Sequence, residues 1–400
     1  MLQISEILKL ALKESSDFDA FHSGSSSLFS AGRFSSGQPP VVVWNITNNC
    51  NMLCPHCYSS ASKNNTASNT VFADARKILD RLDSHGVKIL ILSGGEPLLN
   101  PDFFNILSYA RSKGMICHLS TNGILIDKKT AMDLKEGGIT YVGVSVDGKP
   151  QQNDSYRGFE GGFFRAISGL LDSRDAGMKT GLRFTLTEKN FDQLFYLINL
   201  AVVNQISRFY ISHLLYSGRA ERYSRFDLNH EAAETIVRKI FEFSLEQVRI
   251  QSAISIVTGG NDADGVFLYE FVRKVLGEQA SIKVLEILRM RGGNTAGEKM
   301  INIDHNGNVY PDQFFRSVNC GNILEKPLAE IMEGDIIQKL FRREHYLKGR
   351  CGECSYLCIC RGSHRERALF ASGDIWAEDP ACYLKEEFIK GKESPCAAAY

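Results

Sequence analysis

The stretch NNCNMLCPHCYSS, residues 48–60, carries three cysteines in a Cys-x-x-x-Cys-x-x-Cys pattern directly after the apolar, β-branched run PVVVWNIT. Three thiolates on one short loop can hold three irons of a cubane 4Fe–4S cluster. The fourth iron then has no protein ligand, and an open metal position is where a small molecule can coordinate. For Cys50, Cys54 and Cys57 a zinc site is the alternative, because cysteine spacing alone does not separate the two metals.

Six short apolar runs, separated by helix-like stretches, indicate the fold. The run at 40–47 is followed by those at 88–95, 116–123, 141–148, 180–187 and 208–216. Strands that alternate with helices predict a parallel sheet with right-handed crossovers. We therefore predict an α/β fold, a partial (β/α)6 TIM-like barrel, with a doubly wound open sheet as the alternative. Either fold places the chemistry at the carboxyl ends of the strands.

Changes of composition divide the chain into four predicted parts. The first is an amphipathic N-terminal helix followed by a Ser- and Gly-rich arm, and the last is a C-terminal iron–sulfur domain in which Asn306-Gly307 is the turn of a hairpin. The predicted boundaries are 1–38 for the helix and arm, 39–220 for the barrel, 221–291 for a helical extension and 292–400 for the C-terminal domain.

Bulk composition restricts the classes of partner. The 400 residues include 46 Lys and Arg and 46 Asp and Glu, so no net positive charge attracts nucleic acid or an anionic membrane. No apolar stretch approaches the roughly 18 residues that span a bilayer, which predicts a cytoplasmic protein. In that reducing compartment the 11 cysteines are expected to bind metal or iron–sulfur clusters and not to form disulfides.

The cysteine loop and the end of the second run resemble the radical S-adenosylmethionine (SAM) superfamily. The match covers the Cys-x-x-x-Cys-x-x-Cys loop and the sequence Gly94-Gly95-Glu96-Pro97. The resemblance implies that the three loop cysteines hold a 4Fe–4S cluster whose free iron takes the amino and carboxylate groups of SAM. The reduced cluster would cleave SAM to a 5′-deoxyadenosyl radical that abstracts hydrogen from a substrate.

The same resemblance implies a set of SAM contacts at the carboxyl ends of strands. Glycines let the backbone come close to the methionine ammonium, which needs hydrogen-bond acceptors. The predicted contacts are His56, Gly94, Gly95, Glu96, Ser120, Asn122, Ser145 and Arg183.

A second group of cysteines resembles the SPASM-type C-terminal domain of radical SAM enzymes. Its members are Cys351, Cys354, Cys360 and Cys382. The resemblance implies one auxiliary 4Fe–4S cluster, with a structural zinc as the alternative. Full SPASM domains carry a further cluster, but Asp312 and His364 stand where two cysteines are expected, so we predict one auxiliary cluster. The remaining thiols, Cys320, Cys358 and Cys396, are expected to be buried or incidental.

Four segments, 209–220, 258–269, 291–314 and 376–384, are similar to the NirJ-type radical SAM proteins of haem d1 biosynthesis. This resemblance implies a tetrapyrrole substrate, 12,18-didecarboxysiroheme, from which propionate side chains are removed. It also implies an electron donor, which would be a reductase, a ferredoxin or a flavodoxin. The alternatives are the 12,18-didecarboxysiroheme deacetylase of the sirohaem-dependent haem pathway and a SPASM peptide maturase.

A polycarboxylate macrocycle needs cationic partners. We predict Arg157, Arg219 and Arg222 as bidentate partners for its carboxylates, with surface salt bridges as the alternative. Replacing Arg219 with Ala is then expected to weaken tetrapyrrole binding without affecting SAM cleavage. His213 could ligate the tetrapyrrole iron, but a packed strand histidine is the preferred interpretation. No catalytic acid or base is assigned from the sequence.

Overall fold

One sheet of ten strands organises the computed structural model, which describes residues 1–13, 39–63, 65, 68–390 and 396. The strands are β1 (Val41–Asn45), β2 (Ile89–Ser93), β3 (Ile116–Thr121), β4 (Ile139–Ser145), β5 (Lys179–Leu186), β6 (Arg208–His213), β7 (Ser255–Gly259), β8 (Met300–Ile303), β9 (Asn308–Tyr310) and β10 (Gly321–Asn322). Their order across the sheet is β10-β9-β8-β1-β2-β3-β4-β5-β6-β7. The arm predicted over residues 14–38 lies outside the described residues.

Strands β1 to β6 are the six apolar runs predicted from the sequence. Each pairs in parallel with the strand before it. A doubly wound sheet reverses its strand order at a switch point, whereas the order from β1 to β7 contains no reversal. The prediction of a partial barrel is therefore confirmed, and the doubly wound alternative is wrong.

Helices connect the strands, and several of them bury one apolar stripe. In Phe72–Ser84, for example, Ala75, Ile78, Leu79 and Leu82 are buried at helical spacing. Among the described residues, none of the helices is both long enough and apolar enough to cross a membrane. The helices are α1 (Ile4–Ala11), α2 (Phe72–Ser84), α3 (Phe103–Ser112), α4 (Lys128–Glu136), α5 (Pro150–Arg157), α6 (Gly162–Asp175), α7 (Leu194–Val203), α8 (Ala220–Tyr223), α9 (His230–Arg249), α10 (Ala263–Leu276), α11 (Glu278–Arg291), α12 (Leu328–Met332), α13 (Asp335–Phe341), α14 (Gly349–Gly352), α15 (Leu357–Cys360), α16 (Arg365–Ser372) and α17 (Glu386–Ile389).

Strand β7 lies in the region 221–291, which the sequence predicts as helical. It pairs in parallel with β6 and extends the barrel sheet to a seventh strand. The helical prediction is wrong here because a five-residue apolar run between two long helices has no periodicity that separates strand from helix.

The predicted N-terminal helix is confirmed as α1, and it covers the β7 end of the sheet. Its Ile4, Ile7 and Leu8 are almost fully buried. Leu2 forms an isolated bridge with Thr258 of β7. The first residues of the chain therefore pack against the last strand of the barrel.

The region after residue 292 contributes to the same sheet. Strand β8 pairs in parallel with β1, and β9 returns antiparallel through the Asn306-Gly307 turn, so the predicted hairpin is confirmed. Gly307 has a φ of 85°, a conformation that favours glycine. The strand that begins the C-terminal region is thus the lateral neighbour of the strand that leads into the cysteine loop.

Asn302 on β8 links these two parts, and its replacement tests the junction. Its fully buried amide donates to Val43 O and Asn45 Oδ1, both at 2.8 Å, and its oxygen accepts from Arg316 at 2.9 Å. We expect N302A to lower the apparent stability by about 1–3 kcal/mol because it leaves buried polar groups unpaired. Anaerobic urea unfolding followed by circular dichroism measures this, and the exposed-site variant N105A should change stability by less than about 0.5 kcal/mol.

Candidate functional site

A cavity lies at the carboxyl ends of strands β1 to β6, where the barrel fold predicts the chemistry. Its volume, counted together with the open space at its mouth, is about 1060 Å³. Cys50, Cys54 and Cys57 line one side, and Phe314 from the C-terminal region lines the other. Of the predicted SAM contacts, those that line the cavity are His56, Gly94, Gly95, Ser120, Asn122, Ser145 and Arg183.

The Gly94-Gly95 turn lies against the backbone that leads from β1 into the cysteine loop. A Cβ atom on Gly95 would stand 2.2 Å from Asn49 O, and one on Gly94 would stand 2.5 Å from Thr47 O. Any side chain would collide with backbone at both positions. The two glycines therefore let the second strand end directly beside the cysteine loop.

The predicted SAM contact Glu96 points away from the cavity. Its carboxylate is fully buried and accepts hydrogen bonds from Thr121 Oγ1 at 2.7 Å and from the Asn122 amide at 2.8 Å. Burial raises the pKa of Glu96 to about 7, although these hydrogen bonds oppose the shift. The side chain ties the end of β2 to the end of β3 and so positions Asn122, which does line the cavity.

Arg183 on β5 reaches the cavity across a glycine on the neighbouring strand. A Cβ atom on Gly143 would stand 2.5 Å from the Arg183 Nε atom. The guanidinium donates to the hydroxyl of Ser120, at the end of β3. The pairing of neighbouring strands thus places the Arg183 guanidinium together with Ser120 and Ser145 on the wall of the cavity.

His56, between the second and third loop cysteines, is packed and electrically neutral. Its ring stacks on Tyr156 at 4.8 Å, and Nε2 lies 3.3 Å from Asp147 Oδ2. Burial lowers the pKa of His56 to about 4 and outweighs the nearby carboxylate. Its Nδ1 is buried without a hydrogen-bond partner in the described part of the chain. A buried polar atom without a hydrogen-bond partner, in a residue that lines the cavity, fits a site that a ligand completes.

Arg219 holds the cysteine loop and also lines the cavity. Its Nε donates to Cys54 O at 2.9 Å and one terminal nitrogen donates to Ala61 O at 2.6 Å. Its own backbone amide donates to Cys57 O. Arg219 thus supports the loop with two side-chain hydrogen bonds while it lines the cavity, and its role as a partner of a substrate carboxylate stays a prediction.

Arg157 is also committed inside the protein. Its guanidinium is almost fully buried, lies 2.5 Å from Asp147 Oδ2 and approaches Cys54 Sγ at 4.0 Å. The surface salt bridge is wrong for this buried pair; Arg157 also lines the cavity, and its role as a partner of a substrate carboxylate stays a prediction. Arg222, in contrast, is exposed and lines a shallow surface pocket with Pro55 and Arg225 outside the main cavity.

Several cavity residues are not among the predicted contacts, although His213 was considered as a ligand of the tetrapyrrole iron. Tyr58, two strand residues of β6 (Tyr210 and His213) and Phe314 all line the wall. The Tyr58 hydroxyl lies 3.3 Å from Ser93 Oγ, and its ring meets Phe314 edge-on at 5.1 Å. The signal available in the sequence was the position of Tyr210 and His213 near the carboxyl end of a barrel strand.

The four cysteines of the second group border one smaller cavity. Its volume is about 370 Å³, and Cys351, Cys354, Cys360 and Cys382 all line it. Burial raises the pKa of each thiol, that of Cys382 to about 12. Within the described ranges, no three His, Cys, Asp or Glu side chains converge as a single metal ion would require. What these four thiols have in common is therefore that they line the same cavity.

The residues that replace two SPASM cysteines contact each other. His364 Nε2 lies 3.1 Å from Asp312 Oδ2, and both side chains are buried. The imidazole and the peptide amides of Phe314 and Phe315 outweigh desolvation and keep the pKa of Asp312 below its ordinary value. A histidine–aspartate pair therefore occupies the positions of the missing ligands.

Cys358 and Cys396 form a disulfide, with their Cα atoms 5.7 Å apart. The expectation that the cysteines form no disulfide is wrong for this pair. Cys358 stands on α15 two residues before Cys360, and residues two apart on a helix do not face the same way. Cys360 therefore faces the shared cavity while Cys358 faces the C-terminal tail.

Comparison with known proteins identifies the family. Fe-coproporphyrin III synthase of Methanosarcina barkeri is 37% identical over 89% of this chain and 91% of its own length. Pre-heme d1 synthase of Dinoroseobacter shibae is 37% identical over 88% of both chains. Residues 44–201 match the model of the radical SAM superfamily. The chain belongs to this superfamily. Residues 295–355 match SPASM, an iron–sulfur cluster-binding domain, as predicted.

Solved structures share the fold of this radical SAM enzyme. SuiB of Streptococcus suis bound to S-adenosylmethionine superposes with a TM-score of 0.67 over 87% of this chain and 78% of SuiB. The protein anSMEcpe with bound AdoMet superposes with a TM-score of 0.67 over 86% of this chain and 94% of its own. Each is 18% identical, so the likeness concerns the fold alone.

Family membership confirms the predicted enzyme class and cofactors. The chain is a radical SAM enzyme that uses S-adenosylmethionine and 4Fe–4S chemistry, with further iron–sulfur binding in its SPASM region. The donor set fits these groups, because one cavity joins three thiols to an orphaned imidazole nitrogen and a glycine turn.

Arg219 offers a direct test of how the cysteine loop is held. We expect R219A to lose two charge-assisted hydrogen bonds to loop carbonyls, each of which contributes about 1.5–3 kcal/mol. SAM cleavage without tetrapyrrole should fall at least about tenfold. The formation of 5′-deoxyadenosine and the iron content of the purified protein measure this. R249A, at the exposed end of α9, is the control; normal SAM cleavage by R219A would contradict the assigned role.

Proposed function

We propose that this enzyme acts in modified-tetrapyrrole biosynthesis and removes propionate side chains from 12,18-didecarboxysiroheme. The observation that carries the proposal is the 37% identity to pre-heme d1 synthase over 88% of both chains. It is supported by a cavity that extends from the cysteine loop to a wall built by β6 and the C-terminal region.

Cys50, Cys54 and Cys57 are the ligands of the SAM cluster in this proposal. When bound, the cluster and SAM supply a 5′-deoxyadenosyl radical. The protein's part is orientation and exclusion of water. Cavity-lining residues that contact SAM are His56, Gly94, Gly95, Ser120, Asn122, Ser145 and Arg183, while Glu96 acts by holding the end of β3.

A single auxiliary 4Fe–4S cluster belongs to the second cavity. Its proposed ligands are Cys351, Cys354, Cys360 and Cys382, which border one space. The contact between Asp312 and His364 supports one auxiliary cluster and not two, because the residues at the other ligand positions are paired with each other.

In this proposal, the predicted arginine side chains are the partners of the substrate's carboxylates. Arg157 and Arg219 line the cavity, and Arg222 lies at the surface beside the cysteine loop. An electron donor of the reductase, ferredoxin or flavodoxin class supplies reducing electrons in the cytoplasm. The balanced charge of the chain provides no general attraction to nucleic acid or membrane.

Removal of acetate side chains is the second candidate. It is favoured by the equal identity, 37% over 89% of the chain, to Fe-coproporphyrin III synthase. A coproporphyrin retains its propionates, so an enzyme of that type would remove other arms of the macrocycle.

An anaerobic assay separates these functions. Reduced enzyme, SAM and 12,18-didecarboxysiroheme are incubated, and the tetrapyrrole is analysed by mass spectrometry. Loss of propionate-derived mass is the expected result, whereas loss of acetate-derived mass identifies the second candidate. An unchanged tetrapyrrole, with SAM cleaved, would overturn both and favour the peptide-maturase alternative.

A matched pair of cysteine variants tests the auxiliary ligands. C360S removes a thiol from the second cavity and should lower the iron content by roughly half, because the auxiliary cluster is not retained. The loop cysteines remain, so SAM-dependent changes of the reduced cluster's EPR signal should persist. C320S, which alters a thiol outside both cavities, should keep all the iron; full iron content in C360S would exclude Cys360 as a ligand.

A further inference from the structure

His213, the last residue of β6, connects the catalytic cavity to a buried acid. Its ring lines the cavity, and its Nε2 lies 3.0 Å from Asp264 Oδ2. Its other ring nitrogen, Nδ1, has no hydrogen-bond partner among the described residues, and it is not fully buried. The imidazole therefore has one nitrogen anchored in the protein and one accessible from the cavity.

Asp264 is held in place from the other side. Its side chain is fully buried in the first turn of α10, where the helix amino terminus favours negative charge. Its second oxygen accepts a hydrogen bond of 2.7 Å from the hydroxyl of Tyr383. Both carboxylate oxygens are thereby used, and the arrangement fixes the tautomer and direction of the His213 ring.

The charged groups around His213 favour its protonated form. Burial opposes the charge, but Asp264 outweighs burial and raises the pKa of His213 above its ordinary value. Asp227 adds to the increase, and Arg367 on α16 opposes it. The effect of Arg367 is limited because its guanidinium pairs with Asp379 at 2.6 Å.

The removal of a side chain in this reaction consumes one proton. In the proposed function, the propionate arm would lose a hydrogen atom from the carbon next to its carboxylate, through the radical chemistry that the cluster and SAM would supply when bound. The bond between ring and arm breaks, and the arm leaves as propenoate, so the ring carbon keeps one unpaired electron. One electron from the external reductant and one proton then complete a new C–H bond.

We propose that His213 donates this proton from Nδ1, with Asp264 and Tyr383 as positioning residues. The inference rests on the proposed function, since it names the acid for that reaction. Within the described residues, two histidines line the cavity and pair with a buried acid: His213 with Asp264, and His56 with Asp147. His56 does not serve, because its second ring nitrogen, Nδ1, is buried and its ring is stacked on Tyr156.

The test follows SAM cleavage and tetrapyrrole product separately. We expect H213Q to form 5′-deoxyadenosine in the presence of 12,18-didecarboxysiroheme, while the shortened tetrapyrrole falls about 100-fold or more, the usual effect of losing a general acid. In D2O the wild-type product should gain solvent deuterium at the ring carbon. H118Q is the control, because His118 lies on β3 outside the cavity lining, and it should behave as wild type.

A pH profile separates a chemical role from a structural one. Product formation should decline as the pH rises through the pKa of His213, and D264N should move that decline to lower pH because the imidazolium loses its carboxylate. Iron content and the visible spectrum show whether each variant is folded. Equal product formation by H213Q and wild type, or an unshifted profile in D264N, would overturn the assignment of His213 alone. A wild-type enzyme that leaves the tetrapyrrole unchanged would overturn the proposed function itself.

Discussion

The contact between the Gly94-Gly95 turn and the backbone at Thr47 and Asn49 is the constraint on which the site depends. No side chain fits between these two segments, since a Cβ atom would stand within 2.5 Å of a carbonyl oxygen at either glycine. The Gly95 and Glu96 amides donate to the same carbonyls, each at 2.8 Å. The end of β2 and the start of the cysteine loop are thereby locked together, and the rest of the cavity is assembled around that junction.

Buried charge completes the assembly in a chain with no net charge. Arg157, Asp147 and His56 form one group beneath the loop, and Arg219 caps the loop carbonyls from the other side. A buried ion pair of this kind costs desolvation and is kept only with good geometry. The buried group here holds the residues beside the cysteine loop in position, and removing any partner would leave an unpaired group next to the thiols.

The C-terminal region is a wall of the active site as well as a second iron–sulfur module. Strand β8 lies beside β1, Phe314 reaches the cavity, and Tyr383, adjacent to Cys382, supports Asp264. The C-terminal region is therefore joined to the barrel through the shared sheet and through the hydrogen bond from Tyr383 to Asp264. This explains how a region that is separate in sequence can shape the chemistry at the barrel.

Local sequence determined much of this protein: the six strands, the cysteine loop, the glycine turn and the second cysteine group all follow from short patterns whose physical meaning is local. Tertiary structure alone decided the rest. The five-residue β7 gained its identity from pairing with β6. Arg157 and Arg219 proved to be internal supports, and His213 proved to face a cavity. A side chain's partners are set by residues distant in sequence, Asp264 for His213 and Ala61 for Arg219, and no local pattern encodes those distances.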